Sequence, residues 1–253
     1  MIGVFDSGVG GLAIWKQITL QLPTASTIYL ADQAFFPYGE LYPSSIKRRT
    51  FLATNFLIDE GCQIVVIACN TATVNSTIND LRNHYQDTIF VGVEPPIKKV
   101  VELSNKNMAA LFVTAATAKS LQLKKLINRY THPSKLTVVP APQWVNLVEA
   151  GLPQPQTTDE LFESITKLDS SIEVIGLGCT HFSFLFPLLQ KTFSQRHFVD
   201  VSKPVANQVS KVYSEDISVS INHRFITTGP TQRLTKFLNN LLKNNSPVES
   251  INL

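Results

Sequence analysis

A chain of 253 residues with 44% hydrophobic and 16% charged residues has the make-up of a globular protein of one or two domains, not of a disordered one. Its 22 basic and 19 acidic residues leave a formal charge of only +3. The longest basic run, Lys47-Arg48-Arg49, reads as a solvated helix face, so no nucleic-acid surface is expected. No apolar stretch reaches the roughly 20 residues of a membrane span, and Met1-Ile2-Gly3-Val4-Phe5-Asp6 opens the chain without the character of a signal peptide. Three cysteines do not make a disulfide framework, so free thiols and a cytoplasmic location are expected.

Along the chain, short apolar runs alternate with helical patterns. Strands are predicted over 2–5, 27–30, 64–68, 89–93, 109–113, 136–139, 173–177 and 197–200. Several are rich in β-branched residues without alternation, as in strands buried on both faces. Helices are predicted over 12–21, 45–60, 73–85, 119–130, 182–191 and 232–243. This order implies an α/β fold with mainly parallel sheets flanked by helices. There is also an internal echo. Ile64-Val65-Val66-Ile67-Ala68 runs into Cys69-Asn70-Thr71, and Glu173-Val174-Ile175-Gly176-Leu177-Gly178 runs into Cys179-Thr180-His181. Two similar lobes follow from it, each with a cysteine at the carboxyl end of a strand, where open α/β sheets bind ligands. With crossings near Glu94-Pro95-Pro96 and Lys203-Pro204, lobe one takes 1–93 and 206–253 and lobe two takes 94–205. The active site is then in the cleft between them.

The first candidate site lies in Asp6-Ser7-Gly8-Val9-Gly10-Gly11-Leu12, a glycine turn between a strand and a helix. Gly8, Gly10 and Ala13 fit the loose dinucleotide pattern G-x-G-x-x-A, with Asp32 at the end of the next strand. A tight turn needing backbone freedom is the plainer reading. Asp6 inside the turn would repel a pyrophosphate, and nothing downstream resembles a hydride-transfer site. The turn suits a small anion held by backbone N–H groups and Ser7.

Cys69 stands just before a predicted helix, whose positive end should lower the thiol's pKa towards working pH. A thiol so placed can exchange protons or attack a carbonyl, but free cysteine is also a common buried, inert residue. Cys62 has no such context and reads as packing. In Gly178-Cys179-Thr180-His181 a histidine two residues on can take the thiol's proton or bind a substrate group. A zinc site of Cys69, Cys179 and His181 is the alternative; the paired spacing of structural zinc is missing, and no metal is expected. Asp6 is a candidate to tune one thiol, and Glu149 with His181 the other. Pro37, Tyr38 and Gly39 form a loop that reads either as a pocket wall or as an ordinary turn.

Taken together these segments resemble the glutamate racemases of the cofactor-independent aspartate/glutamate racemase superfamily. The resemblance rests on Asp6-Ser7-Gly8-Val9-Gly10-Gly11-Leu12, on Asp32 with Pro37-Tyr38-Gly39, on Ala68-Cys69-Asn70-Thr71-Ala72, and on Gly178-Cys179-Thr180-His181. Thr114, Thr117 and Ser120, Val148-Glu149-Ala150-Gly151 and Thr228-Gly229 extend it over nearly the whole chain. It implies interconversion of L- and D-glutamate without a cofactor, supplying D-glutamate for peptidoglycan synthesis. It implies Cys69, Cys179, Asp6, His181 and Glu149 as catalytic residues. Asp6, Ser7, Pro37, Tyr38, Gly39, Asn70, Thr71, Thr117, Thr180 and His181 are then expected to bind substrate. The only partner expected is the small-molecule substrate, with a homodimer left open.

The chain departs from the family pattern at Glu40-Leu41-Tyr42-Pro43, at Ala141-Pro142-Gln143-Trp144-Val145-Asn146 and at Val201-Ser202. These segments touch loop packing or the pocket rim rather than the thiols. The chain also opens directly on its first strand, without the extension of members activated by a cell-wall precursor, so no such activation is expected. Three rival readings are a racemase for aspartate or another amino acid, a dinucleotide-binding or regulatory protein, and an inactive relative that binds another protein.

Overall fold

The computed structural model describes residues 1–75, 78–105, 108–151, 158–214 and 221–253. Among the described residues, ten strands form two sheets, parallel at every pairing. They are β1 Ile2–Asp6, β2 Thr27–Ala31, β3 Ile64–Ile67, β4 Ile89–Gly92, β5 Ala109–Val113, β6 Leu136–Pro140, β7 Val174–Leu177, β8 His197–Val199, β9 His223–Thr227 and β10 Val248–Ser250. The first sheet has six strands in the order β10-β9-β2-β1-β3-β4; the second has four, β6-β5-β7-β8. Among the described residues no helix is long and apolar enough to cross a membrane.

Alternate residues of each central strand serve different layers, as the pleat requires. In β3, Ile64 and Val66 face a core shared with the second sheet, while Val65 and Ile67 pack with Leu57 and Phe90 on the far face. In β5, Ala110 and Phe112 join the shared core, and Leu111 and Val113 pack against Ile97, Val100 and Leu126. Both faces are apolar, which is why these strands read as unbroken hydrophobic runs. Trp144 sits fully buried in the shared core, its ring stacked on Phe112 at 4.4 Å between centroids.

The eight predicted strands are present, shifted by a residue or two at their ends. β9 and β10 were not predicted. β9 begins with the polar pair His223-Arg224 and gains its place by pairing with β2, where Thr27 Oγ1 meets His223 Nδ1 at 3.0 Å. β10 is three residues long. Two predicted helices are broken, and a third is helical up to His84 wherever it is described. The stretch 73–85 is helical over Asn70–Asn75 and Ile78–His84, with 76–77 outside the described residues. The stretch 119–130 divides at Ser120, which leaves helical geometry and caps Leu123 N with its hydroxyl. The stretch 182–191 starts as a 3₁₀ turn, Thr180–Phe184, before the helix Phe186–Thr192. Helices Ile97–Leu103, Pro142–Glu149, Thr158–Thr166 and Ser202–Val212 complete the layers; the last packs against helix Leu12–Gln21.

The reading of Lys47-Arg48-Arg49 as a solvated face fails at Arg49. On helix Pro43–Asp59, Arg49 turns inward and grips Asp32 with two N–H groups, Nη2 to Oδ1 at 2.7 Å and Nε to Oδ2 at 2.9 Å. Their side chains are 3% and 0% exposed. Tyr38 and Thr228 donate their hydroxyls to the same carboxylate, and Arg49 Nη1 donates to the Leu253 carbonyl. A buried pair with its lone pairs filled is held in place; breaking one half strands a charge. Arg49→Ala should therefore lower the unfolding free energy by about 3–5 kcal/mol, read as a shift in the urea midpoint.

Candidate functional site

The carboxyl ends of β1, β3 and β7 converge. β3 and β7 each continue their ladder for one more hydrogen bond, Ala68 N to Phe5 O at 2.7 Å and Gly178 N to Phe112 O at 2.8 Å. The next residue on each side is a cysteine, so Cys69 and Cys179 are delivered from different sheets. Both line one cavity of about 50 Å³. Its wall also includes Ser7, Phe36, Tyr38, Asn70, Thr114 and Asn146. Pocket volumes for drug-sized or cofactor-sized molecules run to several hundred Å³, so this cavity suits a small molecule in a closed site.

The glycine turn explains how two sheet ends come so close. A Cβ on Gly8 would strike Glu149 Oε1, and one on Gly10 would strike His181 Nδ1 and lie 2.6 Å from Thr180 Oγ1. Neither glycine is needed for a left-handed backbone; both are needed for clearance. The turn's donors are occupied as well. Gly8 N donates to Asp6 Oδ1 at 2.8 Å and Val9 N to Glu149 Oε1 at 2.9 Å. Two carboxylates thus fill the position a pyrophosphate would take, and the Asp32 carboxylate is saturated by Arg49, Tyr38 and Thr228. The geometry speaks against dinucleotide binding on each count.

Around Cys69, Ser7 Oγ lies at 3.6 Å and the Ala72 N–H donates to Sγ at 3.4 Å. Asp6 makes no hydrogen bond to this thiol; its Oδ2 accepts from Thr180 Oγ1 at 3.0 Å. Burial pushes the Cys69 thiol up to about 12, and the nearby Asp6 charge adds to that. The Ala72 and Ser7 contacts pull the other way and lose. The sequence expectation of a thiol lowered by its helix is therefore corrected: the helix N–H is present, but withdrawal from water outweighs it. Asp6 itself is fully buried, and burial raises its pKa against the opposing pull of His181 and the Gly8 N–H.

Around Cys179, His181 Nδ1 lies 3.8 Å from Sγ, and its Nε2 meets Glu149 Oε1 at 2.8 Å. Burial works against a charged imidazole here, yet Cys179 and Glu149 prevail and hold the His181 pKa well above the ordinary histidine value. The result is a buried line of sulfur, imidazole and carboxylate.

The remaining expected residues divide into lining and backing positions. Ser7, Pro37, Tyr38, Gly39, Asn70, Thr71, Thr180 and His181 line the cavity. Asp6 and Glu149 stand behind it, each touching a residue that does line it. Thr117, expected to bind substrate, is fully buried one layer back and accepts from Thr114 Oγ1 at 3.0 Å. Thr114, which bonds Thr71 Oγ1 at 2.9 Å, is the wall residue instead. Phe36, in the loop read as a possible pocket wall, and Asn146, in the segment 141–146 placed at loop packing or the pocket rim, both line the cavity; Arg233 is marked by no motif. Asn70 Nδ2 donates to Val93 O, leaving Oδ1 buried without a partner. Among the described residues no group of three histidine, cysteine or acidic side chains is placed to hold a metal ion.

Of the departures from the family pattern, Pro43 and Pro142 each fall in the first turn of a helix, where proline's missing N–H costs nothing. Asp200 accepts from Ser202 N at 2.9 Å beside the start of helix Ser202–Val212.

The family model for Asp/Glu/Hydantoin racemase matches residues 10–212. A glutamate racemase of Ectopseudomonas mendocina (strain ymp) is 33% identical over 234 residues, which make up 91% of this chain and 86% of that protein. One from Stutzerimonas stutzeri (strain A1501) is 32% identical over an alignment 254 positions long that covers 98% of this chain and 96% of that one. The fold matches a crystal structure of Escherichia coli glutamate racemase in complex with L-glutamate and the activator UDP-MurNAc-ala. There the TM-score is 0.88 at 27% identity, covering 99% of this chain and 97% of that chain. With two thiols at one small cavity and likeness on this scale, the chain belongs to the Asp/Glu/hydantoin racemase family.

Proposed function

We propose that this protein interconverts L- and D-glutamate by moving the α-proton between Cys69 and Cys179, and that it supplies D-glutamate for peptidoglycan synthesis in the cytoplasm. The observation that carries the reading is the placement of two thiols, from two sheets, on one buried cavity of about 50 Å³. Inversion at Cα needs a base on one face and an acid on the other. In the L-to-D direction the Cys179 thiolate takes the α-proton of L-glutamate. The Cys69 thiol gives its proton to the opposite face, leaving D-glutamate, a Cys179 thiol and a Cys69 thiolate. The reverse reaction exchanges the roles. His181, held by Glu149, manages the proton at Cys179, while Asp6 sets the electrostatic surroundings of Cys69. In the same reading, lobe one takes 1–93 and 206–253 and lobe two takes 94–205.

The carbanion-like transition state needs fixed donors in a site without water. Backbone N–H groups at Ser7, Gly39, Thr71 and Thr180 serve this role, with Asn70 beside them and Thr117 acting through Thr114. Residues of the same chemistry would accept aspartate, so both substrates belong in the assay.

Circular dichroism of the purified protein with either enantiomer of glutamate, and no added cofactor, should show decay of the signal to zero, and aspartate should react far more slowly. In deuterated water the product should carry deuterium at Cα. Cys69→Ala and Cys179→Ala should each remove at least about 10³-fold of the racemisation rate, the scale of a lost acid–base group. Retained activity in either variant would end the two-thiol scheme. A thiol raised to about 12 is almost wholly protonated at neutral pH. Alkylation of Cys69 in the free protein should therefore be slow at pH 7 and keep rising beyond pH 9, past the point where an ordinary cysteine levels off near its pKa of about 8.5. Mass spectrometry of the labelled peptides reads this directly.

A further inference from the structure

The line of side chains behind Cys179 has one loose end. Glu149 Oε1 is engaged by Val9 N and His181 Nε2. Oε2 of the same carboxylate is buried and has no hydrogen-bond donor. The charge that faces it is Arg233, whose Nη1 lies 3.7 Å away, a distance for ion pairing but not for a direct hydrogen bond. The same guanidinium lies over the Phe36 ring, its Cζ 5.6 Å from the centroid. Phe36 lines the cavity, and its ring is 6.0 Å from the His181 imidazole. Arg233 sits on helix Thr231–Phe237, just after β9 of the first sheet, whereas Glu149 ends helix Pro142–Glu149 beside the second. One guanidinium therefore meets Phe36 of the cavity wall and Glu149 behind it.

We propose that Arg233 is a positioning residue that clamps the outer wall, holding Phe36 over the cavity and Glu149 in line with His181 and Cys179. The proposal rests on the reading of Cys179 as an acid–base group. A half-exposed arginine in an ordinary surface pair contributes little. This pair differs in having a partner that is 5% exposed, where water and salt screen the charge poorly. The other charged or titratable groups around the His181–Glu149 pair are Asp6 on β1, Tyr29 on β2 and the two reacting cysteines. Lys236 lies one turn beyond Arg233, at a surface hollow it shares with Glu149. Arg233 is thus the cation that meets Glu149 closely, and arginine's flat face is what can also stack on Phe36.

The test compares Arg233→Gln and Arg233→Lys with the parent protein after thermal melts confirm that all three fold. Removing the cation makes protonated His181 easier to keep, so in Arg233→Gln the NMR titration of His181 should move to higher pH by about half a unit or more. Its kcat/KM for glutamate should fall about tenfold, the scale of a small misplacement in a catalytic group. Arg233→Lys keeps the charge without the planar stack. It should restore the His181 titration while leaving a raised KM from the loosened Phe36. The clamp is overturned if Arg233→Gln stays within twofold of the parent with an unmoved His181 titration, or if Arg233→Lys is no better than Arg233→Gln in both readouts. Should the parent itself leave glutamate unchanged, the proposed activity fails, and the His181 titration in Arg233→Gln still decides the clamp.

Discussion

Between β1 and helix Leu12–Gln21 the backbone passes so close to the second sheet that no side chain fits at Gly8 or Gly10. Glu149 and His181 occupy the space a Cβ would need, and Thr180 reaches across to Asp6. Everything else about the site follows from that approach. It brings the end of β3 opposite the end of β7, so that Cys69 and Cys179 share a cavity. It also occupies two of the turn's N–H groups, Gly8 N with Asp6 and Val9 N with Glu149, one carboxylate from each side. A turn with side chains at these positions would hold the sheets apart and admit water.

Burial has an electrostatic consequence. Asp6, Glu149, His181 and both thiols are withdrawn from water together. In such surroundings each charge is costly unless a partner answers it. His181 answers Glu149, and against the pull of burial Cys179 and Glu149 hold its pKa well above the ordinary histidine value; Asp6 is answered by a backbone N–H and a hydroxyl. Cys69 has only a weak donor in Ala72 and a hydroxyl in Ser7, so its thiol keeps its proton. The two sulfurs are thus unequal in the empty site, one beside an imidazole and the other beside a carboxylate. In the proposed reaction, the ammonium group of a bound amino acid would enter this negative pocket and alter the balance on the Cys69 side. In the proposed reaction that difference is what lets one sulfur give a proton while the other takes one.

The parts legible in the sequence were those set by local chemistry. Ile64-Val65-Val66-Ile67 is a buried parallel strand because β-branched side chains pack on both faces, and the cysteine after it falls at a strand end by geometry alone. The same holds for Val174–Leu177 and Cys179. What escaped depends on partners distant in the chain. β9 is a strand because β2 offers it an edge, not because His223-Arg224 favours extension. Arg49 looks like a surface residue until Asp32 is found beneath it. Thr114 and Thr117 cannot be ranked by spacing, because both lie on the same short turn and only the packing decides which one faces the cavity. Nothing in Gln232-Arg233-Leu234 announces that its arginine would lie against Phe36 and Glu149.

The G-x-G turn shows why a pattern alone misleads. Glycines at those positions are demanded whenever something must approach the backbone closely, and a pyrophosphate is one such object among several. Here the approaching objects are the protein's own Glu149, Thr180 and His181. The discriminating feature was already present in the sequence: an acidic residue, Asp6, ends the strand where a phosphate-binding turn would need neutral or positive surroundings. Its carboxylate folds back onto Gly8 N and uses the donor a phosphate would require. The same steric demand thus serves a different end, bringing two sheets together around a cavity that both cysteines line.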